Sequence, residues 1–141
     1  MSVSILSGDW AALGEDCTAI RYNVFIEEQK VPVEEELDAR DGDCLHFLLR
    51  VDGEPVGTAR LLPDGHIGRV AILAAYRGKG LGRELMQTII EKARDRGHDS
   101  VALAAQTHAL DFYARLGFIA HGPEFLDAGI PHRDMTLNFK G

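Results

Sequence analysis

The sequence predicts an α/β protein of the α+β kind, with a mixed, largely antiparallel central sheet flanked by helices on both faces. Three observations predict it. Alternating apolar segments separated by Asp52-Gly53 and Pro63-Asp64-Gly65 read as a three-stranded meander. An amphipathic stretch from Gly80 to Arg96 reads as a helix. The apolar run Val101 to Ala105 then reads as a buried strand of the parallel kind. At 141 residues, a single domain over 1–141 is expected.

In chain order, Ser2 to Ser7 alternates and forms the first strand. Asp9 to Gln29 is expected to be helical, interrupted at Gly14, with Cys17, Ile20, Val24 and Phe25 on one face and Pro32 as its end. The meander occupies Leu45 to Val51, Val56 to Leu62 and His66 to Leu73. In the next helix Leu81, Leu85, Ile89 and Ala93 recur every four residues, and Gly97 stops it. Ser100 to Ala105 is a strand, and Thr107 caps a short helix with Ala109, Phe112, Tyr113 and Leu116 on one stripe. Two last strands, near Phe118 to Gly122 and Arg133 to Phe139, are expected to flank a long connection.

Fifteen basic residues against twenty-two acidic ones give a net charge of −7, which argues against a nucleic-acid partner. The acidity is local: residues 27–43 hold eight acidic residues against two basic ones, and the rest of the chain nearly balances. No apolar run approaches the roughly 18 residues of a membrane span, the N-terminus lacks the pattern of a secretory leader, and no membrane partner is expected. Cys17 and Cys44 are too few for a disulfide scaffold and lack CxxC spacing, so reduced thiols and a cytoplasmic setting are expected. The histidines His66, His98, His108 and His121 show no metal-ligand spacing, and no metal is expected.

The sharpest chemical feature is Arg77-Gly78-Lys79-Gly80-Leu81-Gly82-Arg83, between a strand and a helix. Glycines let the backbone approach a ligand closely. The first amides of a helix have no partner within it, and the positive end of the dipole lies behind them. A diphosphate suits such a place, and Arg77, Lys79 and Arg83 add positive charge. Neither GxxxxGK[ST] nor GxGxxG fits the spacing. Arg-Gly-x-Gly-x-Gly at this junction instead resembles the acyl-CoA pyrophosphate loop of the GNAT N-acetyltransferases. Val70-Ala71-Ile72 through Tyr76 resembles that family's central strand, and Ala109-Leu110-Asp111-Phe112-Tyr113 through Phe118 resembles its A-x-x-F-Y-x-x-x-G-F motif. Two stretches, Val24 to Pro32 with Glu36-Leu37-Asp38, and Glu124 to His132, resemble the YjcF/ElaA-like branch. The first also bears a fainter likeness to the acyl-homoserine-lactone synthases.

The resemblance implies a GNAT-like acyl-CoA acyltransferase fold with acetyl-CoA as cosubstrate. Main-chain groups of Val70, Ala71 and Ile72 would hold the pantetheine arm, and the amide of Ile72 would face the thioester carbonyl. The amides of Arg77, Gly78, Lys79, Gly80, Leu81, Gly82 and Arg83 would bind the pyrophosphate. Gln106 stands where many members carry a pantetheine-binding Asn. Tyr113 is the family's usual proton donor to the departing thiolate. The acidic segment and the last two strands would wall the acceptor pocket, which makes Phe25, Glu28, Gln29, His46, Glu124 and His132 candidate acceptor-binding residues. Many relatives carry a Glu about where Val101 stands, and Val101 to Ala105 has no ionisable group. The base is therefore Glu28, His46, Glu124 or His132, or else ordered water. The expected activity is acetyl transfer to a small or peptidic amine, with the acidic segment favouring a cationic acceptor and a homodimer in keeping with the family. The reading of another class is a non-catalytic acyl-CoA sensor or interaction module.

Overall fold

A computed structural model describes residues 1–140. The chain runs β1 (Val3–Gly8), α1 (Trp10–Arg21), a π-helical turn (Tyr22–Glu28), α2 (Val33–Glu36), a 3₁₀ turn (Asp41–Asp43), β2 (Leu45–Val51), β3 (Glu54–Leu61) and β4 (Ile67–Ile72). After a 3₁₀ turn at Ala74–Tyr76 come α3 (Leu81–Asp95), β5 (Ser100–Gln106), a 3₁₀ turn (Thr107–Ala109), α4 (Leu110–Arg115), β6 (Ile119–Asp127) and β7 (Ile130–Asn138). Among the described residues no helix is long and apolar enough to cross a membrane.

The expected single sheet is divided. β1-β2-β3-β4 form one antiparallel sheet and β5-β7-β6 another. They meet at one parallel bridge, His66 to Ala102, beside the bond from the Ala102 amide to the Gly65 carbonyl. Past it β4 and β5 diverge, so the parallel pairing expected of β5 stops at that bridge. Helices cover both faces because β2 alternates its apolar side chains. Phe47 packs into the core beneath α3, with Leu85, Met86 and Ile89, while Leu48 packs with Cys17, Ile20 and Val24 on the α1 side.

Three further departures have local causes. α1 is capped by the Asp9 side chain on the Ala12 amide, and it is unbroken at Gly14. A Cβ at Gly14 would lie 2.8 Å from the Trp10 ring, so this glycine lets the indole fold over the helix. The α-helix ends at Arg21, and winding widens through Tyr22-Asn23-Val24-Phe25-Ile26, a run of aromatic, β-branched and Asn residues that lose side-chain freedom or compete with helical bonds. The long connection expected after Gly122 does not exist. Gly122, at φ 75°, forms a bulge with Pro123, the strand resumes at Phe125, and Ala128-Gly129 turns the hairpin with positive φ at both positions.

The acidic segment is built into the protein. The Arg21 guanidinium binds Glu36 through Nε and Asp41 through Nη1 and Nη2, at 2.9 and 3.1 Å. Arg60 bridges Asp41 at 3.0 Å and Asp38 at 2.9 Å, and Arg69 donates to the Glu36 carbonyl at 2.9 Å and to Asp38 at 3.3 Å. Burial alone would raise the Asp41 carboxyl, but Arg21 and Arg60 outweigh it and hold it below the ordinary range. Arg60 likewise holds the Asp38 carboxyl well below the ordinary range. His46, a candidate acceptor residue, lies inside this cluster. Its Nε2 is 2.8 Å from the Asp41 carbonyl and its ring packs on Trp10 at 4.7 Å. Only 1% exposed, and kept neutral by desolvation, it is a core histidine.

Asp41→Asn leaves two buried guanidinium groups short of a countercharge and should cost about 3–5 kcal/mol of unfolding free energy in a urea titration. Asp38 and Asp41 have carboxyls depressed by folding, so their contribution is complete above the unfolded carboxylate value and vanishes as they protonate. The melting temperature should thus hold from neutrality to about pH 5 and fall below about pH 4, less steeply in Asp41→Asn.

Candidate active site

Where β4 and β5 diverge, a cleft of ≈ 1020 Å³ opens, bordered by the π-helical turn, β4, the glycine loop, β5, α4 and the β6–β7 hairpin. Its floor is an unpaired strand edge. The Leu73 amide donates to the Val56 carbonyl at 2.9 Å, and Ile72 stands opposite Gly57 in the next pair. In an antiparallel ladder, bonded and non-bonded pairs alternate. The main-chain groups of Ile72 therefore point away from β3 and into the cleft, with Ala71 turned the other way, and Val70 lines the cleft beside the register shift at Arg69.

The glycine loop forms the upper rim. Gly78 and Gly80 have φ of 76° and 80°, and a Cβ on either would meet nothing within 4 Å. Among the described residues, no hydrogen bond is donated by the amides of residues 78–83. These donors end α3, whose buried face is Leu81, Leu85, Met86, Ile89, Ile90 and Ala93. The helix is thus anchored by its apolar stripe while its N-terminus stays open to the cleft. Gly82 has a second use, because a Cβ there would come within 3.4 Å of the Phe112 ring, which holds α4 against the loop.

The basic residues of the loop behave differently from one another. Arg77 is fixed: its Nη1 and Nη2 grip Glu28 at 2.6 and 2.7 Å and its Nε donates to the Ile72 carbonyl at 2.9 Å. The positive charge expected of Arg77 is thus already matched by Glu28 and is not free for a ligand. The Lys79 ammonium lies over the Tyr76 ring, 5.8 Å from its centre, and Lys79 is outside the cleft lining, whereas Arg83 borders it. The same ion pair occupies both oxygens of Glu28 and holds its carboxyl below the ordinary range.

The remaining candidates separate cleanly. Phe25 and Gln29 border the cleft beside Glu28, and Gln106 faces them from β5. Both ends of the Gln106 amide are engaged, with Gln29 at 2.9 Å and the His108 ring at 2.7 Å. Tyr113 borders the cleft from α4, and its ring meets Phe112 and Phe118 edge-on. Desolvation pushes its phenol up to about 12, so the group keeps its proton. His132 borders the cleft from β7, whereas Glu124 is exposed on β6 outside the lining. Sequence reasoning did not single out Arg69, which also borders the cleft, as do Glu35 of the acidic segment and Asp127 of the Glu124–His132 stretch. Arg69 sits at a bulge with φ 51°, and nothing in its sequence neighbourhood marks that conformation. Among the described residues, no group of three or more His, Cys, Asp or Glu side chains is arranged to hold a metal.

A sheet split around an unpaired strand edge, with a free-amide glycine loop above it, defines an acyl-CoA-dependent acyltransferase. The family model described as an acetyltransferase (GNAT) domain matches residues 14–139, and the chain belongs to that family. It is 37% identical over 125 residues to the uncharacterised N-acetyltransferase YjcF of Bacillus subtilis, covering 86% of this chain and 89% of that one. Protein ElaA of Escherichia coli is 35% identical over 126 residues, 83% and 82% of the two chains. The crystal structure of an acyl-CoA N-acyltransferase from Pseudomonas aeruginosa superposes with a TM-score of 0.86 at 34% identity, over 96% of this chain and 99% of that one. A CoA-dependent acyl-homoserine lactone synthase, BjaI, shares the fold at 18% identity and a TM-score of 0.81, over 97% of this chain and 83% of that one.

Gly80→Asp places a carboxylate at the open N-terminus of α3; a Cβ there meets nothing within 4 Å but is strained at this positive φ, so the melting temperature should fall slightly while the fold persists. CoA affinity, read by calorimetry, should drop about tenfold or more. Equal affinity in the variant would move the diphosphate away from this loop.

Proposed function

We propose that the protein transfers an acetyl group from acetyl-CoA to a primary amine of a small molecule or peptide, by direct attack within a ternary complex. The observation that carries this reading is Tyr113: a desolvated phenol that keeps its proton, with no hydrogen-bond partner among the described residues, in one cleft with the unpaired edge at Ile72. In this reading Val70 and Ile72 hold the pantetheine arm as an added strand. The free amides of residues 78–83 receive the diphosphate, whereas the Arg77 amide, expected to join them, is bonded to the Ala74 carbonyl at 3.3 Å. The Ile72 amide donates to the oxygen that gains charge as the amine adds, and Tyr113 supplies the proton that the departing sulfur needs.

The acceptor enters from the side of the π-helical turn and the β6–β7 hairpin. We take it to be cationic, on narrower grounds than the charge count suggests, because Glu28, Glu36, Asp38 and Asp41 are already matched to arginines. Glu35 and Asp127 are the carboxylates left on the lining with no ion-pair partner among the described residues. A cytoplasmic enzyme accords with two free, buried cysteines whose thiols are raised by desolvation. No nucleic-acid or membrane partner is required, and a homodimer is compatible with the fold.

Thiol release from acetyl-CoA across polyamines, lysine peptides, neutral amines and acidic amino acids tests the reading. Turnover with cationic amines ahead of acidic ones is expected. Tight CoA binding with no turnover on any amine would mark a non-catalytic binder instead. Tyr113→Phe keeps the ring packing on Phe112 and Phe118 and removes only the hydroxyl. Turnover should fall roughly tenfold to a hundredfold, the low end of positioned proton transfer, with acetyl-CoA affinity and melting temperature unchanged. An equal loss of thermal stability would make Tyr113 a core aromatic and nothing more.

A further inference from the structure

We propose that His132 is the general base, accepting through Nε2 the proton of the attacking amine. The inference rests on the amine-acetylation reading above and adds the group that reading lacks. β5 offers no carboxylate from Val101 to Ala105. Glu28 is held by Arg77, Glu36 by Arg21, and His46 is sealed in the core. Glu124 stands outside the cleft.

His132 has what a base requires. It borders the cleft from β7, only 8% exposed, and its ring stacks on Phe125 with 5.9 Å between centres and 22° between planes. Its Nδ1 lies 2.6 Å from the Ile130 carbonyl. A carbonyl only accepts, so Nδ1 carries the hydrogen and the neutral ring keeps its lone pair on Nε2. Nε2 has no hydrogen-bond partner among the described residues. The tautomer is thus set by the backbone two residues away, and the ring plane by Phe125. Across the ladders its neighbours are Gln106 on β5 and Phe125 on β6, neither of which titrates. On the walls around it, Asp127 and Glu35 are exposed, and the Glu28 carboxylate is matched by Arg77.

The step balances. As the amine nitrogen bonds to the thioester carbonyl carbon, Nε2 takes one N–H proton. The carbon–sulfur bond breaks with its electron pair on sulfur, and Tyr113 gives that sulfur a proton. The imidazolium returns its proton to water and the phenolate recovers one, so amine plus thioester yields amide plus thiol.

His132→Asn retains a side-chain N–H for the Ile130 carbonyl but has no basic nitrogen. It should lower kcat/KM about a hundredfold or more, abolish the acid limb of the wild-type pH–rate profile, and leave acetyl-CoA affinity unchanged. In His132→Ala, added imidazole should restore part of the rate. Wild-type kcat/KM with an unchanged acid limb in His132→Asn overturns the assignment. So does the same pattern of losses in His108→Asn with His132→Asn active, because His108 is the other imidazole on the lining. No imidazole rescue of a folded His132→Ala also counts against it. Failure of the wild type to release thiol with every amine removes the acetylation reading itself, whereas an active wild type with an active His132→Asn removes only this one.

Discussion

Three arginines and three carboxylates, Arg21, Arg60 and Arg69 with Glu36, Asp38 and Asp41, tie the C-terminal end of α1, the acidic segment, β3 and β4 into one body. Desolvating six charges is expensive, and a buried pair offsets that cost only when geometry and further hydrogen bonds are good. Here Asp41 is shared between two guanidinium groups, and Arg69 reaches backbone carbonyls as well as Asp38. The segment has little alternative anchoring, since among residues 33–43 only Glu36 and Asp41 are buried. Apolar burial could hold such a stretch near the body but would not fix its register. Directional charge pairs do, and the cleft wall at Glu35 and Glu36 inherits its shape from them.

The second constraint is the parting of β4 from β5. An unpaired strand edge is ordinarily a liability, because its amides and carbonyls invite another chain. In this protein the edge is recessed in a cleft and roofed by the glycine loop, so a thin extended ligand can reach it while a folded partner's strand is hindered. On the same side α3 keeps a free N-terminus, since the amides of residues 78–83 donate no hydrogen bond among the described residues while Leu81, Leu85, Met86 and Ile89 stay buried. The unpaired edge and the open helix N-terminus thus border the same cleft, closed on its far side by the His66–Ala102 bridge.

How much of this was legible depended on whether the signal was local. The meander, α3 and the glycine loop were readable because turn chemistry, helical period and backbone freedom are written within a few residues of one another. The β6–β7 hairpin was missed because Gly122-Pro123 looks like a strand end and acts as a bulge, a distinction settled by the partner strand. The acidic segment was misjudged for a related reason. Its formal charge is local, but its neutralising arginines come from α1, β3 and β4, so counting along the chain overstated the field at the cleft. His46 and His132 show the same limit: neither Leu45-His46-Phe47 nor Pro131-His132-Arg133 marks a role, and only packing puts one in the core and the other on the cleft.

The Arg77–Glu28 pair joins these parts. Arg77 opens the glycine loop, Glu28 ends the π-helical turn, and the Arg77 Nε also holds the carbonyl of Ile72. One planar guanidinium thus touches the π-helical turn, the glycine loop and the last residue of the unpaired edge. Its fork geometry suits this better than a lysine ammonium, which has no fixed plane in which to set three partners. The pair is about 40% exposed on both sides, so its strength is limited by solvent, and its contribution is orientation more than stability. With Glu28 committed to that task, the proton chemistry proposed for the cleft falls to groups whose states are set by burial and backbone: a phenol that desolvation keeps protonated, and an imidazole whose one free nitrogen is chosen by a main-chain carbonyl.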